Sequence, residues 1–256
     1  MNTETDFFMS GEVALIGAGP GDPELLTLKA IKYLKHAQVI LVDDLVRPEV
    51  LEYANSSTRI IHVGKRGGCV STPQAFIEKM LIKEAQAGHR VVRLKGGDPL
   101  IFGRGGEELT SLRAAGIKTT IINGVSSGFS AANALGVSLT HRHNSQGVTF
   151  ITGHLKAPDQ QPNWKALVEC RTTLVVYMGL SRAAIIREQL IIAGMSPATP
   201  VGLVESSSTY QQRCVITDLQ HLPSTIDQQQ LHSPVIMIIG DVVAAAQQLQ
   251  RIDFAA

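Results

Sequence analysis

Arg93-Leu94-Lys95-Gly96-Gly97-Asp98-Pro99-Leu100-Ile101-Phe102-Gly103-Arg104-Gly105-Gly106-Glu107-Glu108 sets five glycines among lysine, arginine, aspartate and glutamate, directly behind an apolar run that reads as a strand. Glycine lets backbone approach a bound group closely and take angles closed to other residues, while the charged side chains supply fixed charges of both signs. A single Gly-Asp-Pro turn would read as a surface connection. A loop this rich in glycine and charge reads as a ligand-holding loop between a strand and a helix. The same Gly-Asp-Pro recurs at Gly21-Asp22-Pro23, closing a first loop behind Val13-Ala14-Leu15-Ile16. Two such loops in one domain predict one ligand gripped from two sides.

The first loop, Gly17-Ala18-Gly19-Pro20-Gly21-Asp22-Pro23, imitates the strand, glycine turn and helix of a dinucleotide site. Asp43, closing the run Val39-Ile40-Leu41-Val42, even falls near the position of a ribose-binding acid. The glycine spacing argues against that reading. Asp22 stands where the third glycine belongs, and Pro20 removes a backbone donor from the phosphate cradle. Asp22 reads instead as a helix N-cap, with Pro23 at the first helical position and Glu24 behind it.

Strands are expected at Val13 to Ile16, Val39 to Val42, Val91 to Leu94 and Thr119 to Ile122. Helical periodicity runs from Pro23 to His36, with Leu25, Leu26, Leu28, Ile31 and Leu34 on its apolar face, and from Thr72 to Ala87. The alternation predicts a mostly parallel sheet, with both Gly-Asp-Pro loops and Asp43 at its carboxyl edge, where such sheets bind ligands. A polar stretch from Gly136 to Gly147 separates this half from a second set of strands: Val148 to Thr152, Thr173 to Tyr177, Val201 to Glu205 and Val235 to Ile239. Helical segments are expected around Trp164 to Glu169 and Arg182 to Ala193, with a closing helix from Val243 to Arg251. The fold class is therefore α/β, with two domains, residues 11–136 and 147–256, and a ligand cleft between them.

Composition excludes several classes. A net charge of +1 over 256 residues provides no field for nucleic acid, and 44% hydrophobic with 18% charged residues is ordinary for an α/β protein. Cys69, Cys170 and Cys214 are scattered and form no C-x-x-C pair, which fits packing residues in a reducing cytosol. The N-terminal ten residues are unlike a signal peptide, and no apolar run reaches membrane-spanning length. A cytoplasmic protein without membrane or nucleic-acid partners is expected. His141 and His143 stand two apart with no matching ligand pattern, so no metal is expected.

Taken together, these blocks closely resemble the S-adenosylmethionine-dependent tetrapyrrole methyltransferases, from about Glu12 to Val243. The resemblance is carried by Val13 to Ala30, the acid in Leu41-Val42-Asp43-Asp44-Leu45-Val46, Gly64-Lys65-Arg66-Gly67-Gly68, the Arg93 to Glu108 stretch and Thr140-His141-Arg142. Phe150-Ile151-Thr152-Gly153-His154, Tyr177-Met178-Gly179 and Ile238-Ile239-Gly240-Asp241-Val242-Val243 extend it. The first loop is shared widely in that family. Gly64 to Gly68 followed by the second loop is specific to the branch that methylates uroporphyrinogen.

The resemblance implies two dissimilar α/β domains, a homodimer, and S-adenosylmethionine as methyl-donor substrate. Donor contacts map onto Pro20, Gly96, Gly97, Asp98, Ile101, Ser126, Ser127 and Met178. A further one falls on Ser207, where relatives have glycine. Asn123 replaces the usual proline before Gly124, and Asp44 adds a negative charge beside Asp43. The resemblance gives Asp43 the role of base and Lys65 that of proton donor. A tetrapyrrole bearing eight carboxylates suits arginine, whose fork matches a carboxylate better than lysine does. Arg66, Arg104 and Arg142 are therefore the expected substrate contacts, with Glu107 orienting Arg104 or acting as a helix N-terminal acid. A methyltransferase acting on a later precorrin and a nicotinamide-dependent oxidoreductase are the alternatives.

Overall fold

The computed structural model describes residues 7–64, 72–153 and 161–244, which form two compact units, Met1–Ser126 and Ser127–Ala256. The first is built on β1 (Val13–Gly17), β2 (Val39–Val42), β3 (Arg59–His62), β4 (Val91–Lys95) and β5 (Thr119–Ile122), all parallel, in the order β3-β2-β4-β1-β5. Strands β1 and β2 are buried at every position because helices cover both faces of the sheet. On one face Ala14, Ile16, Ile40, Val42, Val92 and Leu94 pack against α1 (Leu28–His36) through Ala30, Tyr33 and Leu34. On the other, Val13, Leu15, Val39, Leu41 and Val91 meet α2 (Gln74–Gln86) and α3 (Gly105–Ala114) through Ile77, Leu81 and Leu112.

This strand order rules out the dinucleotide topology. There β2 lies directly beside β1; here β4 is inserted between them, with Val91 paired to Val13 on one side and to Val39 on the other. The loop behind β4 consequently separates Asp43 from the first glycine loop.

The expected helix from Pro23 to His36 is two pieces. Asp22 caps a 3-10 turn, Pro23–Leu25, by accepting from the Glu24 amide at 2.8 Å, and Thr27 then caps α1 by accepting from the Ala30 amide. The break at Leu26 and Thr27 resets the helical phase, so Leu28, expected on the apolar face, is 86% exposed.

The second unit carries a mixed sheet of β6 (Val148–Thr152), β7 (Thr173–Tyr177), β8 (Pro200–Glu205), β9 (Arg213–Asp218) and β10 (Val235–Ile239), ordered β6-β7-β10-β8-β9. Only β6 and β7 run parallel; the other pairings are antiparallel. Helix α4 (Ser127–Leu135) belongs to this unit, so the division falls one helix before the expected domain end at 136. Its small side chains let it lie close to the sheet: Ala131, Ala132 and Leu135 pack with Val175, Tyr177, Val204 and Ile238, and the Gly128 amide donates to the Tyr177 hydroxyl. On the opposite face α5 (Trp164–Glu169), α6 (Ala183–Ile192) and α7 (Leu222–Gln228) cover Leu174, Val176, Val201, Leu203, Met237 and Ile239. The closing helix expected from Val243 to Arg251 lies mostly outside the described residues. Among the described residues no helix is long and apolar enough to cross a membrane.

Candidate active site

The two Gly-Asp-Pro loops meet at the carboxyl edge of the parallel sheet. Gly19 and Gly97 exchange a reciprocal pair of backbone hydrogen bonds, Gly97 N to Gly19 O at 2.7 Å and Gly19 N to Gly97 O at 3.2 Å. Both glycines have positive φ, +75° and +67°, a conformation that side chains strain. Gly17 and Gly124 close the same junction. A Cβ at Gly17 would lie 2.5 Å from both Gly97 O and Gly124 N, so three backbone segments touch where none can carry a side chain.

Asp98 locks this arrangement. Its Oδ1 accepts from the Leu100 amide at 2.9 Å, and its Oδ2 accepts from Asn123 Nδ2 at 3.1 Å and from the Gly124 amide at 3.2 Å. Asn123 thus contributes a side-chain donor to this junction. The Asp98 carboxylate staples the loop after β4 to the loop after β5. Asp98→Ala removes these three part-buried hydrogen bonds, about 1–3 kcal/mol of stability in all. It is expected to lower both the melting temperature and the affinity for S-adenosylhomocysteine, measured by thermal shift and titration calorimetry; a change in neither would refute the staple.

Beside this junction stands Asp43, at the end of β2. Its backbone amide donates to Leu94 O, and its carboxylate is the outward end of a charged cluster. Arg93 Nη2 donates to Asp43 Oδ1 at 2.5 Å, Arg93 Nε donates to Glu108 Oε1 at 2.9 Å, and Lys95 Nζ lies 3.2 Å from Glu108 Oε1 and 3.6 Å from Asp43 Oδ2. Gln74 Nε2 also donates to Glu108 Oε1. Strand periodicity explains the meeting: Arg93 and Lys95 alternate with Val92 and Leu94, so both point to the face covered by α3, which brings Glu108. The side chains of Arg93, Lys95 and Glu108 are 2%, 4% and 0% exposed, that of Asp43 28%. Burial pushes the Lys95 pKa down, and the neighbouring Arg93 charge adds to this, against the opposing pull of Asp43 and Glu108.

Sequence reading missed Arg93 and Glu108 as part of the site. The available signal was two cations spaced by two in a strand buried on both faces, a position that demands partners.

The remaining expected residues are placed as follows. Pro20 is half-buried in the first loop, Gly96 faces Leu45, and Ile101 is exposed at the tip of the second loop with Leu100 and Phe102. Asp44 lies against Gly64, where a side chain would collide with it. Lys65, Arg66 and His154 lie outside the described residues. Arg104 is held by Glu107 in a two-pronged pair, Nε to Oε1 at 2.9 Å and Nη2 to Oε2 at 2.6 Å, and Glu107 also lies in the first turn of α3. Ser126 is buried and ends the first unit; Ser127 begins α4.

In the second unit Met178 follows β7 with φ +52° and is 51% exposed. Ser207 is buried, and its hydroxyl lies 2.7 Å from that of Ser130, so its side chain is turned into the unit. Arg142 is exposed on a turn closed between His141 and Ser145. Five of the seven non-glycine residues with positive φ among the described residues, Phe102, Arg104, Met178, Ser206 and Ser208, fall in these expected segments. Left-handed backbone at such residues is strained and concentrates at functional sites.

The chain belongs to the tetrapyrrole (corrin/porphyrin) methylases, whose family model matches residues 12–223. It is 49% identical to the uroporphyrinogen-III C-methyltransferase of Pseudomonas aeruginosa, over 91% of this chain and 95% of that one. It is 45% identical to the siroheme synthase of Tolumonas auensis, of which it spans about half the length, 52%. Among solved structures, the uroporphyrin-III C-methyltransferase of Thermus thermophilus complexed with S-adenosylhomocysteine matches with a TM-score of 0.78 and 38% identity, over 91% of this chain and 93% of that one.

Proposed function

We propose that this protein is a uroporphyrinogen-III C-methyltransferase. It transfers methyl groups from S-adenosylmethionine to ring carbons C2 and C7 of uroporphyrinogen III, giving precorrin-2 and S-adenosylhomocysteine. The observation that carries the reading is Asp43, the presented end of a buried ion cluster, standing beside two glycine loops tied to each other by their backbones. The activity of the 49%-identical relative supports it.

The chemistry asks for these parts. An electron-rich pyrrole carbon displaces the sulfonium in line, so the carbon–methyl bond forms as the sulfur–methyl bond breaks. The protein offers alignment and exclusion of water rather than covalent help. Attack leaves positive charge on the ring until a proton departs, and Asp43 is assigned to receive it. Lys65 is assigned as the proton donor on the resemblance. The resemblance assigns Pro20, the backbone at Gly96 and Gly97, Asp98, Ile101, Ser126, Ser127, Met178 and Ser207 to the donor, Ser207 through its backbone because its hydroxyl is engaged by Ser130. A homodimer in the cytoplasm completes the proposal. The test is incubation of enzymatically generated uroporphyrinogen III with labelled donor, counting methyls on the product: two are expected, and none would refute the reading.

Arg66, Arg104 and Arg142 are assigned to the substrate carboxylates. Their contributions differ, because Arg104 already spends its fork on Glu107 while Arg142 stands exposed on a turn. Arg142→Ala is expected to raise the KM for uroporphyrinogen III about tenfold, less than the loss of a fully buried charge partner because Arg142 is exposed, and Arg104→Ala by less. Donor KM should not change in either variant. Steady-state kinetics at physiological salt decides, and unaltered substrate KM in both would make these arginines structural.

A further inference from the structure

We infer that Arg93, Lys95 and Glu108 are positioning residues for Asp43, fixing one oxygen of its carboxylate and presenting the other to the reacting ring. The inference rests on the reading of Asp43 as the group that receives the ring proton.

The geometry divides the two oxygens of Asp43. Oδ1 is taken by Arg93 Nη2 at 2.5 Å, whereas Oδ2 sits 3.6 Å from Lys95 Nζ, close enough for charge attraction and too far for a normal hydrogen bond. Arg93 cannot swing away. Its Nε is bound to Glu108, and its Nη1 lies 3.4 Å from both Leu41 O and Leu94 O, the carbonyls flanking Asp43 on β2 and β4. Glu108 holds both cations from α3 and is itself held by Gln74 of α2. Every member but Asp43 is excluded from water, so the cluster has one outlet.

Stability alone does not account for it. Buried ion clusters are often no more stabilising than well-packed apolar side chains, and positions 93 and 95 lie in a strand whose other members are valine and leucine. What apolar residues cannot do is hold an ionised carboxylate at a defined angle. Arg93 is suited to this because its planar fork fixes direction as well as charge. Lys95 is suited to the second oxygen because an ammonium attracts without demanding one orientation, leaving Oδ2 able to turn to an incoming proton.

The test is a set of double-mutant cycles against Asp43→Asn, with uroporphyrinogen III and labelled S-adenosylmethionine as substrates and folding checked by thermal denaturation. Arg93→Lys, which keeps the charge and loses the fork, and Lys95→Met are each expected to lower kcat about tenfold, a coupling of ordinary size for groups in contact. Affinity for S-adenosylhomocysteine should stay within about twofold of the parent, since neither side chain is assigned to the donor. In the Asp43→Asn background neither substitution should cost further kcat, because the carboxylate it positions is gone. Undiminished kcat in the single variants, or losses that persist in full without Asp43, overturns the inference. If Lys95→Met fails to fold, Arg93→Lys decides alone. If Asp43→Asn keeps full kcat, the role of Asp43 itself falls; if only Asp43→Asn is slow, that role stands and the positioning is refuted.

Discussion

Asp43→Asn is expected to lower kcat for methyl transfer by about 10²–10⁴-fold, the usual contribution of a positioned acid–base group, while leaving affinity for S-adenosylhomocysteine unchanged. The amide keeps the shape of the side chain and can still accept the Arg93 hydrogen bond through its oxygen, so the backbone pairing of β2 with β4 is retained. What it loses is the ability to take a proton. Rapid-quench measurement of a single turnover beside a calorimetric titration of S-adenosylhomocysteine separates the two effects. Equal losses in rate and affinity would assign Asp43 to binding.

The second large effect is on stability. Glu108→Ala removes the shared anion of Arg93 and Lys95, both nearly sealed from water. Breaking a buried ion cluster from one side strands the remaining charges, at about 3–5 kcal/mol. Urea denaturation should show the unfolding free energy falling by that amount, through a lower midpoint at an unchanged slope. A loss below about 1 kcal/mol would mean the two cations find water or other partners, and their burial would not be a constraint.

Strands β1 and β2 were legible because they are buried at every position and written, Ala14 and Gly17 apart, in Val, Ile and Leu. Strands β3 and β9 were not. They are the outer strands of their sheets, and Arg59 and His62, or Arg213 and Asp218, break the apolar pattern without breaking the backbone ladder. The helix boundary at Thr27 was hidden by an apolar spacing that continues through it although the backbone does not. At the site, glycine and Gly-Asp-Pro announced the loops, because backbone angles and close approach are properties of single residues. Their joining at Gly19 and Gly97, the staple through Asp98, and the convergence of Glu108 on Arg93 depend on strand order. No local pattern shows that β4 lies between β1 and β2.

The charge cluster around Asp43 contains two anions and two cations, and that equality governs what a substrate meets from a distance. A lone carboxylate at a binding edge would repel a ring decorated with carboxylates throughout its approach. In an electroneutral quartet the fields of opposite sign cancel within a few side-chain lengths, and salt at physiological strength screens the remainder beyond about 8 Å. A polyanion therefore meets little net repulsion from the quartet until it comes close to Asp43. Attraction over longer range must come from charges outside the quartet, so steering can be tuned without altering the residues that hold Asp43 in place.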